Sequence, residues 1–195
     1  MLNVFRKGQL TNYKIFLGAD TIVSFAMGLF GPFWAVFILE FGDSSIESLG
    51  FAVGIMILAQ SLTAYFAGKF SDRFGRKGFM VGANLAIAMI IFSYTLVESL
   101  VQLYAVQVMY GIVTAISGTA ESAFLGDITE RATRGRDVGK LNAITGIAAA
   151  LAMMGGGILV GGFGFNIIFY AVAGFFFLSA VLLLLIKEKR MPTAE

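Results

Sequence analysis

Six apolar stretches fill this 195-residue chain almost from end to end. They run near Tyr13–Leu39, Leu49–Phe70, Phe79–Val97, Val101–Gly126, Lys140–Gly162 and Asn166–Ile186. About 20 apolar residues cross a bilayer as a helix. Lipid offers no partner for backbone N–H and C=O groups, so a spanning segment of this length must bond within itself as an α-helix. The expectation is an all-α membrane protein: one transmembrane bundle of six helices over residues 1–195, with no soluble domain left over. Composition agrees, since 58% of residues are hydrophobic and 13% charged, against about 25% charged in soluble domains. The first stretch is too long for a signal-peptide core and lacks a small-residue cleavage site, so it is expected to remain as a span.

The charges order the spans. Arg6, Lys7 and Lys14 precede or open span 1; Lys69, Arg73, Arg76 and Lys77 mark the turn after span 2. Arg131, Arg134, Arg136 and Lys140 lie in the loop after span 4, and Lys187, Lys189 and Arg190 follow span 6. In a six-span arrangement all 14 bases fall on one side, while the opposite loops carry Glu40, Asp43, Glu47 and Glu98. The positive-inside rule then predicts a multi-pass protein of the cytoplasmic (inner) membrane with both termini cytoplasmic.

The chain has no Cys and no His, which excludes disulfides, thiol chemistry, histidine metal sites and imidazole catalysis. Phosphate-loop, dinucleotide and metal-ligand motifs are absent, so no enzyme, cofactor or metal is expected. The bases are spread over several loops beside the bilayer, which argues against a nucleic-acid partner.

The loop after span 2 reads Gly68-Lys69-Phe70-Ser71-Asp72-Arg73-Phe74-Gly75-Arg76-Lys77. The pattern Gly-x-x-x-Asp-Arg-x-Gly-Arg-Lys resembles the signature loop between helices 2 and 3 of the major facilitator superfamily of secondary transporters. Asp127, opening Asp-Ile-Thr-Glu-Arg-Ala-Thr-Arg-Gly-Arg after span 4, is similar to the acid that pairs with that loop. Gly31-Pro32 in span 1 resembles a further family element. Two departures stand out: Gln107-Val108-Met109-Tyr110-Gly111 where helix 4 often carries Arg-x-x-x-Gly, and Gly157-Ile158-Leu159-Val160-Gly161-Gly162 without the Pro of the antiporter element. The resemblance covers the whole chain but only the N-terminal half of a twelve-span transporter. It implies two inverted three-helix repeats, spans 1–3 and 4–6. It also implies a charge-relay cluster of Asp72, Arg76 and Asp127, with Gly68, Arg73, Gly75 and Lys77 completing the signature. Spans 1, 2, 4 and 5 would line or pack around a cavity, with the more uniformly apolar spans 3 and 6 outside.

Polar stripes mark the same four spans. Span 4 carries Gln107, Tyr110, Gly111, Thr114, Ser117, Gly118, Glu121 and Ser122 within about a third of its circumference. Asp20, Ser24, Gly28 and Gly31 align on span 1, and Gln60, Thr63 and Ala67 on span 2. The expected proton-coupling and substrate cavity is therefore Asp20, Ser24, Gln60, Gln107, Thr114 and Glu121. Asp20 and Glu121 are acids inside spans, where a charge costs about 2.5–3.5 kcal/mol and a functional role is the default. Each lies six residues, or about 9 Å, from the basic side, so they could face one another across one cavity. A snorkelling or capping role is the alternative for each acid.

The expected function is secondary transport of a small molecule by alternating access. It would be coupled to protons and directed to efflux of cationic or neutral lipophilic compounds, with a homodimer or a complementary six-helix half as partner and membrane lipids around it. Uptake of a neutral solute stands as an alternative. A non-transporting truncated half, or a membrane interaction partner, is the rival of another class.

Overall fold

The computed structural model describes residues 2–40 and 44–187, with side chains described over 10–40, 44–69 and 75–187. Six long helices account for most of the described chain: α1 Leu2–Leu39, α2 Ile46–Phe74, α3 Arg76–Ser93, α4 Leu100–Ile128, α5 Arg134–Phe163 and α6 Phe165–Leu183. Each is long and apolar enough to cross a membrane. Helix α1 starts well before the expected Tyr13, α3 passes into a 3-10 turn at Tyr94–Leu96, and α6 ends at Leu183, three residues early.

Local chemistry sets the helix ends. Ser45 caps α2 with its hydroxyl accepting from the Ser48 N–H, and the Ser48 hydroxyl returns a bond from the Ser45 N–H, a reciprocal capping box. Ser99 caps α4 through the Gln102 N–H. Two links are a single residue long, Gly75 between α2 and α3 and Gly164 between α5 and α6. Their φ values are 90° and 76°, which a side chain would strain and glycine tolerates.

The helices pack along their lengths in five pairs: α1 with α5, α2 with α4, α3 with α6, α1 with α6 and α3 with α4. Two pairs approach at backbone distance. A methyl at Gly28 of α1 would fall on the Ala149 carbonyl of α5, and one at Gly111 of α4 on the Met56 carbonyl of α2. Small residues let membrane helices approach this closely.

The core has two apolar clusters. One holds Phe30, Ile38, Ile91, Tyr94, Leu103, Val172 and Phe169. The other, nearer the basic end, holds Phe16, Met80, Ala120, Phe124 and Leu183. Helices α3 and α6 are the most enclosed of the six, and α2 and α5 the least. Within this single bundle α3 and α6 are the better enclosed, and the expectation that spans 3 and 6 lie outside concerns a transporter of two bundles. Helices α3 and α6 pack on each other and on α4 and α1, whereas α2 and α5 each lean chiefly on one neighbour.

Candidate functional site

Between the two apolar clusters lies a polar layer. Along α1, Asp20 falls between Ala19 of one cluster and Ala26 of the other; along α3, Asn84 falls between Met80 and Ile87; along α6, Ser179 falls between Leu183 and Phe176. Asn84 donates to the Ser179 hydroxyl at 3.1 Å, and that hydroxyl donates to the Ala19 carbonyl at 3.1 Å. This tie joins α3, α6 and α1 one residue from Asp20. On α4, the Ser117 hydroxyl donates to Glu121 at 2.8 Å. Asp20 and Glu121 are half-buried.

The other expected cavity residues divide. Ser24 lines an open groove between α1 and α5, about 420 Å³ in volume, with Met27 and Gly28 on one wall and Asn142, Thr145 and Met153 on the other. Gln60 is half-buried on α2. Thr114 turns its hydroxyl back onto its own helix, bonding the Tyr110 and Gly111 carbonyls at 2.8 and 3.0 Å. Gln107 was expected at the cavity but is fully buried, its amide oxygen accepting from the Tyr94 hydroxyl at 2.9 Å. The reason is the neighbouring aromatic packing: Tyr94 stacks on Phe169 and meets Phe30 and Phe37, which holds its hydroxyl inward against α4.

At the basic end, the signature loop binds across helices. Arg76, at the start of α3, pairs with Asp127 at the end of α4 and donates to the Ala123 carbonyl. Gly75 supplies the left-handed link. A Cβ at Gly68 would come within 3.5 Å of the Thr119 methyl, ordinary contact between α2 and α4. Lys77 donates to the Leu184 and Ile186 carbonyls, both at 2.7 Å. The side chains of Asp72 and Arg73 lie outside the described residues. Further ties join the same end: Asn12 exchanges two hydrogen bonds with the backbone of Lys187, at 2.9 and 3.2 Å, and the Tyr13 hydroxyl donates to the Asp137 carbonyl at 2.8 Å.

Sequence reasoning missed the Asn84–Ser179 tie and the Asn12, Tyr13 and Lys77 contacts. Asn84 offered a signal, as a lone amide in an apolar span. Ser179 offered none, because a serine in a membrane helix commonly bonds its own preceding turn.

Residues 17–195 match the family model described as Major Facilitator Superfamily. The chain belongs to that superfamily. An uncharacterized MFS-type transporter, YitZ of Bacillus subtilis (strain 168), is 31% identical over 160 residues, covering 82% of this chain and 97% of the relative. Multidrug resistance protein 2 of the same organism is 24% identical over 96% of this chain and 46% of its own length. The multi-drug resistance efflux pump PmrA of Streptococcus pneumoniae (TIGR4) is 25% identical over 94% of this chain and 49% of its own. The chain thus spans nearly all of YitZ and about half the length of the two longer relatives. The superfamily is one of multi-pass membrane transporters, not of enzymes, and the six apolar helices fit it.

Proposed function

We propose that the chain carries a small molecule across the cytoplasmic membrane by alternating access, with protons exchanged at Asp20 and Glu121. It exports cationic or neutral lipophilic compounds and works as a homodimer of single six-helix units. Both termini lie in the cytoplasm. The observation that carries this reading is the polar layer. Two half-buried carboxyls lie inside the spans, Asp20 on α1 between the two apolar clusters and Glu121 on α4 beside Ala120 and Phe124 of the cluster nearer the basic end. The sequence places no Lys or Arg at that depth of any span. An uncompensated carboxyl pair of this kind suits protons and cations better than anions.

Other observations support the remaining parts. Exchanging α1 with α4, α2 with α5 and α3 with α6 turns the five packing pairs into themselves. The same exchange carries the Gly28–Ala149 approach onto Gly111–Met56, and the Gly75 link onto the Gly164 link. That internal symmetry favours two inverted three-helix repeats. The exposed α2 and α5 favour a second bundle beside the first. YitZ, matched over 97% of its length, is a relative of similar size. The names of two relatives, a multidrug resistance protein and a multidrug efflux pump, favour lipophilic export.

The test is flux in proteoliposomes under an imposed pH gradient, using a radiolabelled lipophilic cation chosen by thermal stabilisation of the purified chain. Asp20→Asn is expected to reduce proton-driven flux to background while leaving binding measurable. Full proton-driven transport by Asp20→Asn/Glu121→Gln would refute the coupling.

A further inference from the structure

The bases at the basic end divide by what they touch. Arg76, Lys77 and Arg134 direct their N–H groups to carbonyls near the ends of α4 and α6, and Arg76 also to Asp127. Lys14, Arg136, Lys140 and Lys187 are exposed. Among the described residues no carboxylate pairs with these three lysines, and Arg136 reaches Asp137 only at 3.9 Å. Asp137 itself accepts from the Thr133 hydroxyl at 2.9 Å. These bases are gathered, not scattered. The Tyr13 hydroxyl donates to the Asp137 carbonyl at 2.8 Å, and Asn12 exchanges two hydrogen bonds with the Lys187 backbone, at 2.9 and 3.2 Å. Those bonds pin α1, the first turn of α5 and the exit from α6 at one junction. Lys14 and Arg136 each stand next to a bonded residue, Lys187 is one, and Lys140 follows Asp137 by one turn. Like charges held together repel one another, and an anion set among them is attracted by each.

We propose that this junction docks the headgroup of an anionic phospholipid. The surface beside the bases distinguishes a lipid from a soluble anion. Leu10 lies one turn before Lys14, Leu184 and Leu185 come just before Lys187, and Ile147 lies two turns beyond Lys140. All four are apolar and more than half exposed. A soluble anion would leave these side chains in water, whereas a phospholipid meets both parts, its phosphate on the bases and its chains along the apolar residues. Lys and Arg suit such a boundary, because their stems lie along apolar surface while the charged heads stay at the interface. Near an anionic membrane surface each base contributes about fivefold in affinity. The bases bonded to carbonyls are already engaged within the bundle. Lys69 is exposed at the same end, but it belongs to α2, which leans chiefly on α4 and stands apart from the junction.

Two fluorescent lipids with the same acyl chains make the test: phosphatidylglycerol, with a net negative charge, and phosphatidylcholine, with none. Binding of each to the purified full chain in a neutral detergent is read by anisotropy. Phosphatidylglycerol is expected to bind at least about tenfold more tightly, a preference that several bases together supply and that added salt weakens by screening. Lys14→Gln, Arg136→Gln and Lys187→Gln should each lower its affinity several-fold, and the three together should abolish the preference. Lys69→Gln removes the same charge from the same end and is expected to cost less than about twofold, since it lies off the junction. Asn12→Leu removes no charge but unties Lys187 from α1, and a several-fold loss is expected there too. Losses from Lys69→Gln equal to those from Lys14→Gln would mean diffuse attraction and overturn the site, as would no preference in the unmodified protein. Displacement of the lipid by inorganic phosphate, at an ionic strength where chloride does not displace it, would overturn the lipid as occupant.

Discussion

At the residue scale, the glycines of this chain are not equivalent, and space decides which of them matter. Gly28 and Gly111 each sit against a backbone carbonyl of the neighbouring helix, while nothing lies within 4 Å of a Cβ placed on Gly82. A methyl at the first two positions must push α1 from α5, or α4 from α2, because a backbone carbonyl cannot rotate away as a side chain can. Overpacking of this kind costs about 1–3 kcal/mol. Gly28→Ala and Gly111→Ala are therefore expected to lower the unfolding temperature in detergent, whereas Gly82→Ala should leave it unchanged or raise it slightly through helix propensity. Scanning fluorimetry on the three variants checks this; a Gly111→Ala protein as stable as Gly82→Ala would contradict the close approach of α2 and α4.

At the element scale, the basic residues that order the spans also finish the helices. The last carbonyls of a helix have no intrahelical donor and carry the negative end of its dipole. Arg76 meets the end of α4 through Ala123 and Asp127, Arg134 meets it through Gly126 at 2.8 Å, and Lys77 meets the chain just past α6. Loss of the Lys77 contacts should loosen the exit from α6 more than the rest of the bundle. Lys77→Met is expected to speed amide hydrogen exchange over residues 183–187 several-fold, with Lys77→Arg retaining part of the protection. Exchange unchanged in that segment would show that Asn12 alone holds it. Span 3 shows how a helix face escapes a reading by composition: its uniform apolarity does not show which face meets α6, and Asn84 marks that face through its bond to Ser179.

At the scale of the whole molecule, the two most exposed helices, α2 and α5, are among the four whose sequences carry polar and small residues. Helix α2 exposes Leu62 and Tyr65, and α5 exposes Met154 and Ile158, each by more than 60%. The proposed dimer would cover these faces and leave Met89 of α3, 69% exposed, to lipid. The absence of Cys from the sequence makes the experiment direct. Leu62→Cys and Met154→Cys are expected to cross-link between copies in native membranes with short bifunctional reagents, and Met89→Cys is not. A chain that stays monomeric in lipid and transports at full rate would refute the dimer.

The number of long helices and the ring of bases at their ends were legible in the sequence, because bilayer thickness imposes a length and charge an order that need no knowledge of packing. The charge relay was implied only by the resemblance of the loop to the superfamily signature, and of its members Arg76 and Asp127 pair. Which face of each helix meets which neighbour was not legible. In an apolar helix nearly every side chain suits either lipid or protein, so periodicity separates the two faces weakly. Tertiary structure alone decided that Gln107 meets Tyr94 and that Asn84 finds Ser179. These depend on shape at close approach, where two glycines set how near the helices come.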